Sequence, residues 1–154
     1  MLLLAVACAQ DPNLFDTSSS TPEIKGPPLR SLSSDDCPDF SISGETVSFT
    51  SSGEERRATV LIPENSSEPS ALVFFFHGLL DSSYSNPTEL MSRSLDLQEL
   101  SNERNAVVVL PESKLWNLMG MEFFLWQLED GSISEDLILY DDLRTCAVEN
   151  LSID

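Results

Sequence analysis

Two uninterrupted apolar runs constrain the fold of this chain more than any other feature of its sequence. They are Ala71–Phe76 (ALVFFF), which is followed by His77-Gly78, and Ala106–Leu110 (AVVVL), which is followed by Pro111. Each run has the length of a strand and lacks the polar–apolar alternation of a strand with one face in water. Both are therefore predicted to be strands buried on both faces, which is typical of the parallel sheets of α/β proteins.

A hairpin is predicted before the first of these runs. The segments Glu45–Ser51 and Glu55–Ile62 alternate polar and apolar residues, and Ser52-Gly53 supplies the turn between them. This pattern predicts an antiparallel pair of strands at the edge of the sheet.

Two helices are predicted beside the strands. Asn86 is a capping residue with Pro87 at the first helical position, and the helix that begins there is expected to extend to about Arg104. The segment Ser132–Glu135 (SISE) is a capping box for a second helix that extends to about Leu151. The order hairpin, strand, helix, strand, helix predicts an α/β protein, and specifically the front half of an open α/β sheet.

The first 36 residues have the features of an export segment and a tether. Met1–Ala7 is apolar and precedes Cys8, as in part of a signal peptide or in a lipobox whose cysteine is lipidated. The alternative is a short hydrophobic N-terminus with an ordinary cysteine. Residues 9–36 hold six Ser, two Thr and four Pro, which is typical of a disordered linker. We therefore expect a signal or lipobox-like segment at 1–8, a linker at 9–36 and the folded domain at 37–154. The protein would be exported, either extracellular or anchored as a lipoprotein at the periplasmic or cell surface.

The cysteine count is compatible with export. If Cys8 is removed or lipidated, Cys37 and Cys146 are left as an even pair that can form one disulfide in an oxidising compartment. The alternative is two buried free thiols. No Cys/His spacing indicates a metal site, the chain has one His, and no cofactor is expected.

The strongly acidic charge excludes some partners. With 8 Lys and Arg against 26 Asp and Glu, the net charge is -18, so nucleic acid is not an expected partner. No run of 18 apolar residues exists, so no transmembrane span is predicted. The acidic pairs Glu135-Asp136 and Asp141-Asp142 are predicted to occupy the first turn and the solvent face of the second helix.

Four segments, taken in order and spacing, resemble a known family. They are Ala71–Leu79 (ALVFFFHGL), Asn105–Glu112 (NAVVVLPE), Trp116 and Leu143–Asp154 (LRTCAVENLSID). Together they resemble the polyhydroxybutyrate-depolymerase/feruloyl-esterase group of secreted α/β-hydrolases, over roughly Cys37–Asp154. The resemblance implies the N-terminal half of an α/β-hydrolase sheet and the cleavage of polyester or aryl-ester bonds.

The chain departs from this family in its catalytic residues. An α/β-hydrolase carries its nucleophile in a G-x-S-x-G elbow, with the acid and the base after it, and this chain contains no Gly-x-Ser. The nucleophile, the acid and the base are therefore expected beyond Asp154, and no catalytic residue is assigned within the chain. We expect the 154-residue chain to be inactive by itself.

Two groups of site residues follow from the resemblance. His77, Gly78 and Leu79 correspond to the oxyanion loop, in which Leu79 would donate its backbone N–H and His77 would orient the loop. The alternative for His77 is an ordinary turn histidine. Trp116 and Trp126 are candidates for an apolar substrate wall at the carboxyl ends of the strands, and the alternative is that they pack as ordinary core.

Two functions from different classes remain open. The first is the N-terminal portion of a secreted or lipid-anchored serine carboxylic-ester hydrolase, whose partner is an ester substrate. The second is a non-catalytic exported acidic protein, either a surface lipoprotein or a binding module. A G-x-S-x-G encoded within roughly 15–20 residues downstream would favour the first.

Overall fold

The computed structural model describes residues 27–65, 69–127 and 134–154. In chain order the elements are β1 (Thr46–Ser51), β2 (Glu54–Leu61), β3 (Ala71–Phe74), β4 (Leu80–Asp81), α1 (Pro87–Ser94), α2 (Leu97–Arg104), β5 (Ala106–Pro111), β6 (Lys114–Leu118), β7 (Met121–Leu125) and α3 (Glu135–Asn150). This mixture of sheet and helix agrees with the predicted α/β class.

The central sheet has four strands in the order β1-β2-β5-β3. β1 and β2 form the predicted hairpin, and β2 continues the sheet by pairing antiparallel to β5. β5 and β3 are parallel, with Val73 opposite Val108. The hairpin therefore places only β1 at an edge, while β2 lies inside the sheet.

The core lies on both faces of β5. On one face, Val107 and Val109 pack in a cluster with Leu139 and Leu143 of α3. On the other face, Val108 packs in a cluster with Leu97 of α2. This arrangement confirms the prediction that the run at β5 is a strand buried on both faces.

The prediction for the first apolar run was only partly correct. The strand ends at Phe74 rather than Phe76, Ala71 is exposed, and the rest of β3 is half-buried. β3 is less buried than β5 because, among the described strands, β3 pairs with β5 alone, whereas β5 lies between β2 and β3.

Residues 152–154 begin a parallel pairing on the other edge of β3. Ser70 and Ile153 form a parallel bridge, in which the N–H of Ser70 donates to the carbonyl of Ser152 at 2.8 Å and the N–H of Asp154 donates to the carbonyl of Ser70 at 3.0 Å. Because alternate residues of a strand bond to opposite neighbours, the backbone groups of Leu72 and Phe74 face this same edge.

A second, smaller sheet was not predicted. β6 and β7 form an antiparallel hairpin, and β4 pairs with β7 to give the order β4-β7-β6. The β6–β7 hairpin follows β5 directly in the chain, whereas β4 follows the loop that leaves β3.

The helices differ from the prediction at their boundaries. The single helix expected from Asn86 to Arg104 is two helices, because Asp96 adopts the left-handed conformation with φ of 49° and interrupts the run. The second predicted helix is α3, which is capped by Ser134. The capping role predicted for Ser132 lies outside the described residues. None of the described helices is long and apolar enough to cross a membrane.

The predicted linker is docked on α3 over residues 27–36, and its earlier part and the segment 1–8 lie outside the described residues. Thr145 donates to the carbonyl of Arg30 at 3.0 Å, and the N–H of Ser33 donates to the carboxylate of Asp142 at 2.9 Å. The segment therefore contacts α3 before residue 37, where the folded domain was predicted to begin. The prediction for Asp142 was wrong, because this residue is buried rather than on the solvent face.

Cys37 and Cys146 are joined by a disulfide, with their Cα atoms 5.7 Å apart. The bond ties the docked N-terminal segment to the last turns of α3. The even pair of cysteines is thus a disulfide rather than two free thiols.

Candidate functional site

The candidate site is the loop His77-Gly78-Leu79 at the carboxyl end of β3. The loop runs from β3 into β4, and the β6–β7 hairpin packs against it through Phe124 and Trp126. Its position agrees with the general placement of ligands at the carboxyl ends of parallel strands.

His77 is held in one neutral form by its two hydrogen bonds. The N–H of Ser113 donates to Nε2 of His77 at 3.1 Å, so Nε2 must carry the lone pair. Nδ1 lies 2.7 Å from the carbonyl oxygen of Gly78, which can only accept, so Nδ1 carries the hydrogen. His77 is 3% exposed, and this burial lowers its pKa, against weaker raising effects from Gly78 and Asp136. Both ring nitrogens of His77 are therefore engaged in hydrogen bonds, and neither is free to act as a base.

Trp126 holds the loop from the second sheet. Its Nε1–H donates to the carbonyl oxygen of His77 at 2.7 Å, and the two rings lie 4.8 Å apart between centroids. The carbonyls of His77 and Gly78 are therefore both bonded to this pair of rings.

The two tied carbonyls fix where the following amides point. All described peptide bonds are trans, so each N–H points away from the carbonyl of its own peptide unit. The N–H groups of Gly78 and Leu79 therefore point away from the His77 and Trp126 rings. Neither amide donates a hydrogen bond to another described residue. The loop thus offers two adjacent donors on its outer side.

The fold itself does not require glycine at position 78. Gly78 does not have a positive φ, and a Cβ built there would have no described atom within 4 Å. The open space above Gly78 is therefore available for an approaching group.

An apolar cavity of about 440 Å³ adjoins the loop. Phe76 and Trp126 form one wall, with ring centroids 5.2 Å apart and planes at 81°. The other lining residues that the structure describes come from the start of α3: Ser134, Asp136, Leu137 and Tyr140. The volume lies within the usual range for small-molecule sites.

The structure separates the two tryptophans predicted to form a substrate wall. Trp126 lines the cavity and contacts His77. Trp116 lies on β6, does not line the cavity, and has an Nε1–H with no hydrogen-bond partner among the described residues. The wall prediction is therefore retained for Trp126 alone.

A buried ion pair holds the backbone at the residue that follows Trp126. Arg56 of β2 lies 2.6 Å from Asp136 of α3, and both side chains are buried. The other carboxylate oxygen of Asp136 accepts from the N–H of Gln127 at 2.6 Å, immediately after Trp126. Asp136 was predicted to be a first-turn helix acid. Its contact with Arg56 could not be found from the sequence, because the two residues are 80 positions apart.

The described residues do not provide a metal site. No group of three or more His, Cys, Asp or Glu among them could hold a metal ion. His77 is the single histidine of the chain and its ring nitrogens are both bonded. The chemistry that the site offers is hydrogen-bond donation from two backbone amides beside an apolar cavity.

Comparison with known proteins gives no match: no family model, no curated protein and no solved structure matches this chain.

Proposed function

We propose that this chain forms the oxyanion side of an exported serine carboxylic-ester hydrolase of the α/β-hydrolase type. The observation that carries the proposal is the pair of outward-pointing amides at Gly78 and Leu79, whose carbonyl partners are tied back by His77 and Trp126. The sequence resemblance to polyhydroxybutyrate depolymerases and feruloyl esterases supports the same assignment.

Two donors at this point suit the chemistry of ester cleavage. Attack on an ester carbonyl places negative charge on its oxygen, and preorganised N–H groups stabilise that charge where it develops. Each such donor is worth about 10²–10³ in rate. In an α/β-hydrolase one donor comes from the loop after this strand and the other from the residue after the nucleophile. Leu79 is our candidate for the first of these.

The edge of β3 opposite β5 supports a place for the nucleophile. Residues 152–154 begin a parallel strand against Ser70. A strand that continued in this register would bring a residue alongside His77, which lies seven positions beyond Ser70. A strand-to-helix turn at that point would present a serine to the oxyanion loop, as in a nucleophile elbow.

The cavity supports an apolar substrate. Among the described lining residues, the carboxylate of Asp136 is paired with Arg56, and Ser134 accepts from the N–H of Leu137. The other described lining residues are aromatic or aliphatic (Phe76, Trp126, Leu137 and Tyr140), and this surface suits an aromatic or aliphatic part of an ester. The polyester or aryl-ester class follows from the resemblance and agrees with this surface.

The test compares the 154-residue chain with the product of its whole reading frame. Both are treated with a fluorophosphonate probe and assayed on a p-nitrophenyl acyl ester. We expect the whole product to be labelled and active and the 154-residue chain to be neither, because the nucleophile lies outside it.

Two results would contradict the proposal. Serine-directed labelling of the 154-residue chain would place the nucleophile within it. A whole product that is folded but neither labelled nor active would favour the alternative of a non-catalytic exported binding module.

A further inference from the structure

We propose that Trp126 is the positioning residue of the oxyanion loop and acts through His77. This role rests on the proposed function, but the contacts that define it do not. The indole N–H holds the carbonyl of His77, and the indole ring packs against the imidazole that in turn holds the carbonyl of Gly78. Removing the indole N–H would free the first of the two carbonyls that set the direction of the amides.

Trp126 can hold the loop because its own position is fixed by buried contacts. Its neighbour Gln127 donates its N–H to Asp136 at 2.6 Å, and Asp136 is paired with Arg56 in the sheet. Phe76 also packs edge-on against the indole ring. A line of contacts therefore runs from β2 through α3 and Trp126 to the loop.

The imidazole completes the arrangement in only one protonation state. Nε2 of His77 must be unprotonated to accept the N–H of Ser113, and Nδ1–H must be present to donate to Gly78. The Nε2–H tautomer or the cation would place two N–H groups against each other at Ser113. The groups near this ring from other elements are Asp136, Trp126, Phe124 and the Ser113 amide.

The experiment uses the 154-residue chain and the exchange of the Ser113 amide. This amide is buried and bonded to His77, so its hydrogen-exchange rate reports whether the imidazole is held. Trp126→Phe keeps an aromatic ring and removes the N–H. We expect this change to speed Ser113 exchange about fivefold, the factor that one net hydrogen bond of typical strength provides.

Trp116→Phe is the matched control. The same atoms are removed from an indole whose N–H has no hydrogen-bond partner among the described residues. We expect Ser113 exchange to stay at the wild-type rate in this variant. The amide of Val108 in the core reports global opening, and we expect it to be unchanged in both variants.

Two outcomes would overturn the proposal. The first is an unchanged Ser113 rate in Trp126→Phe. The second is an equal rise at Ser113 and Val108, which would make Trp126 a general packing residue.

A second measurement is independent of whether the variant folds. The chain has one histidine, so the imidazole ¹⁵N signals of the wild-type protein belong to His77 without ambiguity. We expect the Nδ1–H tautomer at neutral pH, and the Nε2–H tautomer or the cation would contradict the arrangement. Neither measurement depends on ester turnover, so its failure is distinguishable from failure of the proposed function.

Discussion

The two parallel strands of the central sheet have similar sequences but very different surroundings. Val108 of β5 is 0% exposed, whereas Val73, its register partner on β3, is half-buried, and Phe76 beyond the end of β3 is 46% exposed. β5 has a strand on each edge and core clusters on both faces. Within the described part of the chain, β3 has β5 on one edge and only residues 152–154 on the other.

This difference shows what a sequence pattern can and cannot predict. A continuous apolar run indicates that a strand is suited to burial on both sides, but its neighbours decide how much of it is buried. β3 has more apolar surface than the described residues cover. The proposed function places a further strand at this edge, next to the loop that we assign to the oxyanion.

The largest expected effect concerns the buried strand β5 and the helix α3 that covers it. Replacing both cysteines, Cys37→Ser with Cys146→Ser, should lower the free energy of unfolding by about 2–5 kcal/mol, because the disulfide closes a long loop of the unfolded chain. The disulfide anchors α3, which covers β5, so the core should weaken while the His77–Trp126 contacts persist. Urea unfolding measures the loss, and the Trp126 indole N–H resonance reports the site. An unchanged unfolding midpoint would contradict this account of the disulfide.

The second prediction compares the strands directly by one substitution at two facing positions. Val108→Ala should lower the free energy of unfolding by about 2–3 kcal/mol, because it removes two methyl groups from a fully buried site and leaves a cavity. Val73→Ala should cost about 1 kcal/mol, since that side chain is only half-buried. Equal losses of unfolding free energy for the two variants, measured in urea, would contradict the distinction between the interior strand β5 and the edge strand β3.

The smallest effect concerns the two buried titratable groups that follow these strands. Burial lowers the pKa of His77 and raises the pKa of Glu112, whose carboxylate is only partly compensated by Arg57. As the pH falls below the ordinary histidine value of 6.5, the unfolded chain takes up a proton before His77 does, so stability decreases. Glu112 acts in the opposite direction, because the folded state is protonated first, and its contribution to stability grows as the pH falls towards 4.5.

Glu112→Gln separates these two contributions. We expect the acid-side decline in melting temperature to begin at a higher pH in this variant than in the wild type, because the opposing carboxyl is gone. Thermal melts across the range from pH 7 to the ordinary glutamate value test this. An identical pH profile for the variant would mean that the carboxyl of Glu112 is not perturbed as described.

The parts of the fold that were predicted are those with a strong local pattern. The hairpin, β5 and α3 each have an alternation, an apolar run or a capping residue that acts within a few positions. The break between α1 and α2 was missed because it depends on the left-handed backbone at Asp96, where the helical spacing of Leu90, Leu97 and Leu100 continues across the gap.

The place of the loop in the chain was predicted, but the contacts that hold it were not. His77-Gly78-Leu79 could be proposed because the resemblance implies an oxyanion loop there and because the tripeptide follows an apolar run. Ser113 contacts His77 through its backbone N–H. Every residue except proline has this group, so the side chain at position 113 gives no indication of the contact. The β6–β7 hairpin was expected only as an apolar stretch, and its turn is what brings Trp126 to His77 while Trp116 stays away.

The most direct test of the central claim replaces Gly78 in the product of the whole reading frame. The fold leaves room for a Cβ at this position, so Gly78→Ala and Gly78→Val should both keep the melting temperature of the wild type. The added methyl groups would crowd the ester carbonyl beside the outward amides. We expect kcat on a p-nitrophenyl acyl ester to fall about 10²-fold in Gly78→Val, the loss of one oxyanion donor, and to fall less in Gly78→Ala. A normal melt with unchanged kcat in Gly78→Val would contradict the assignment of the oxyanion to this loop.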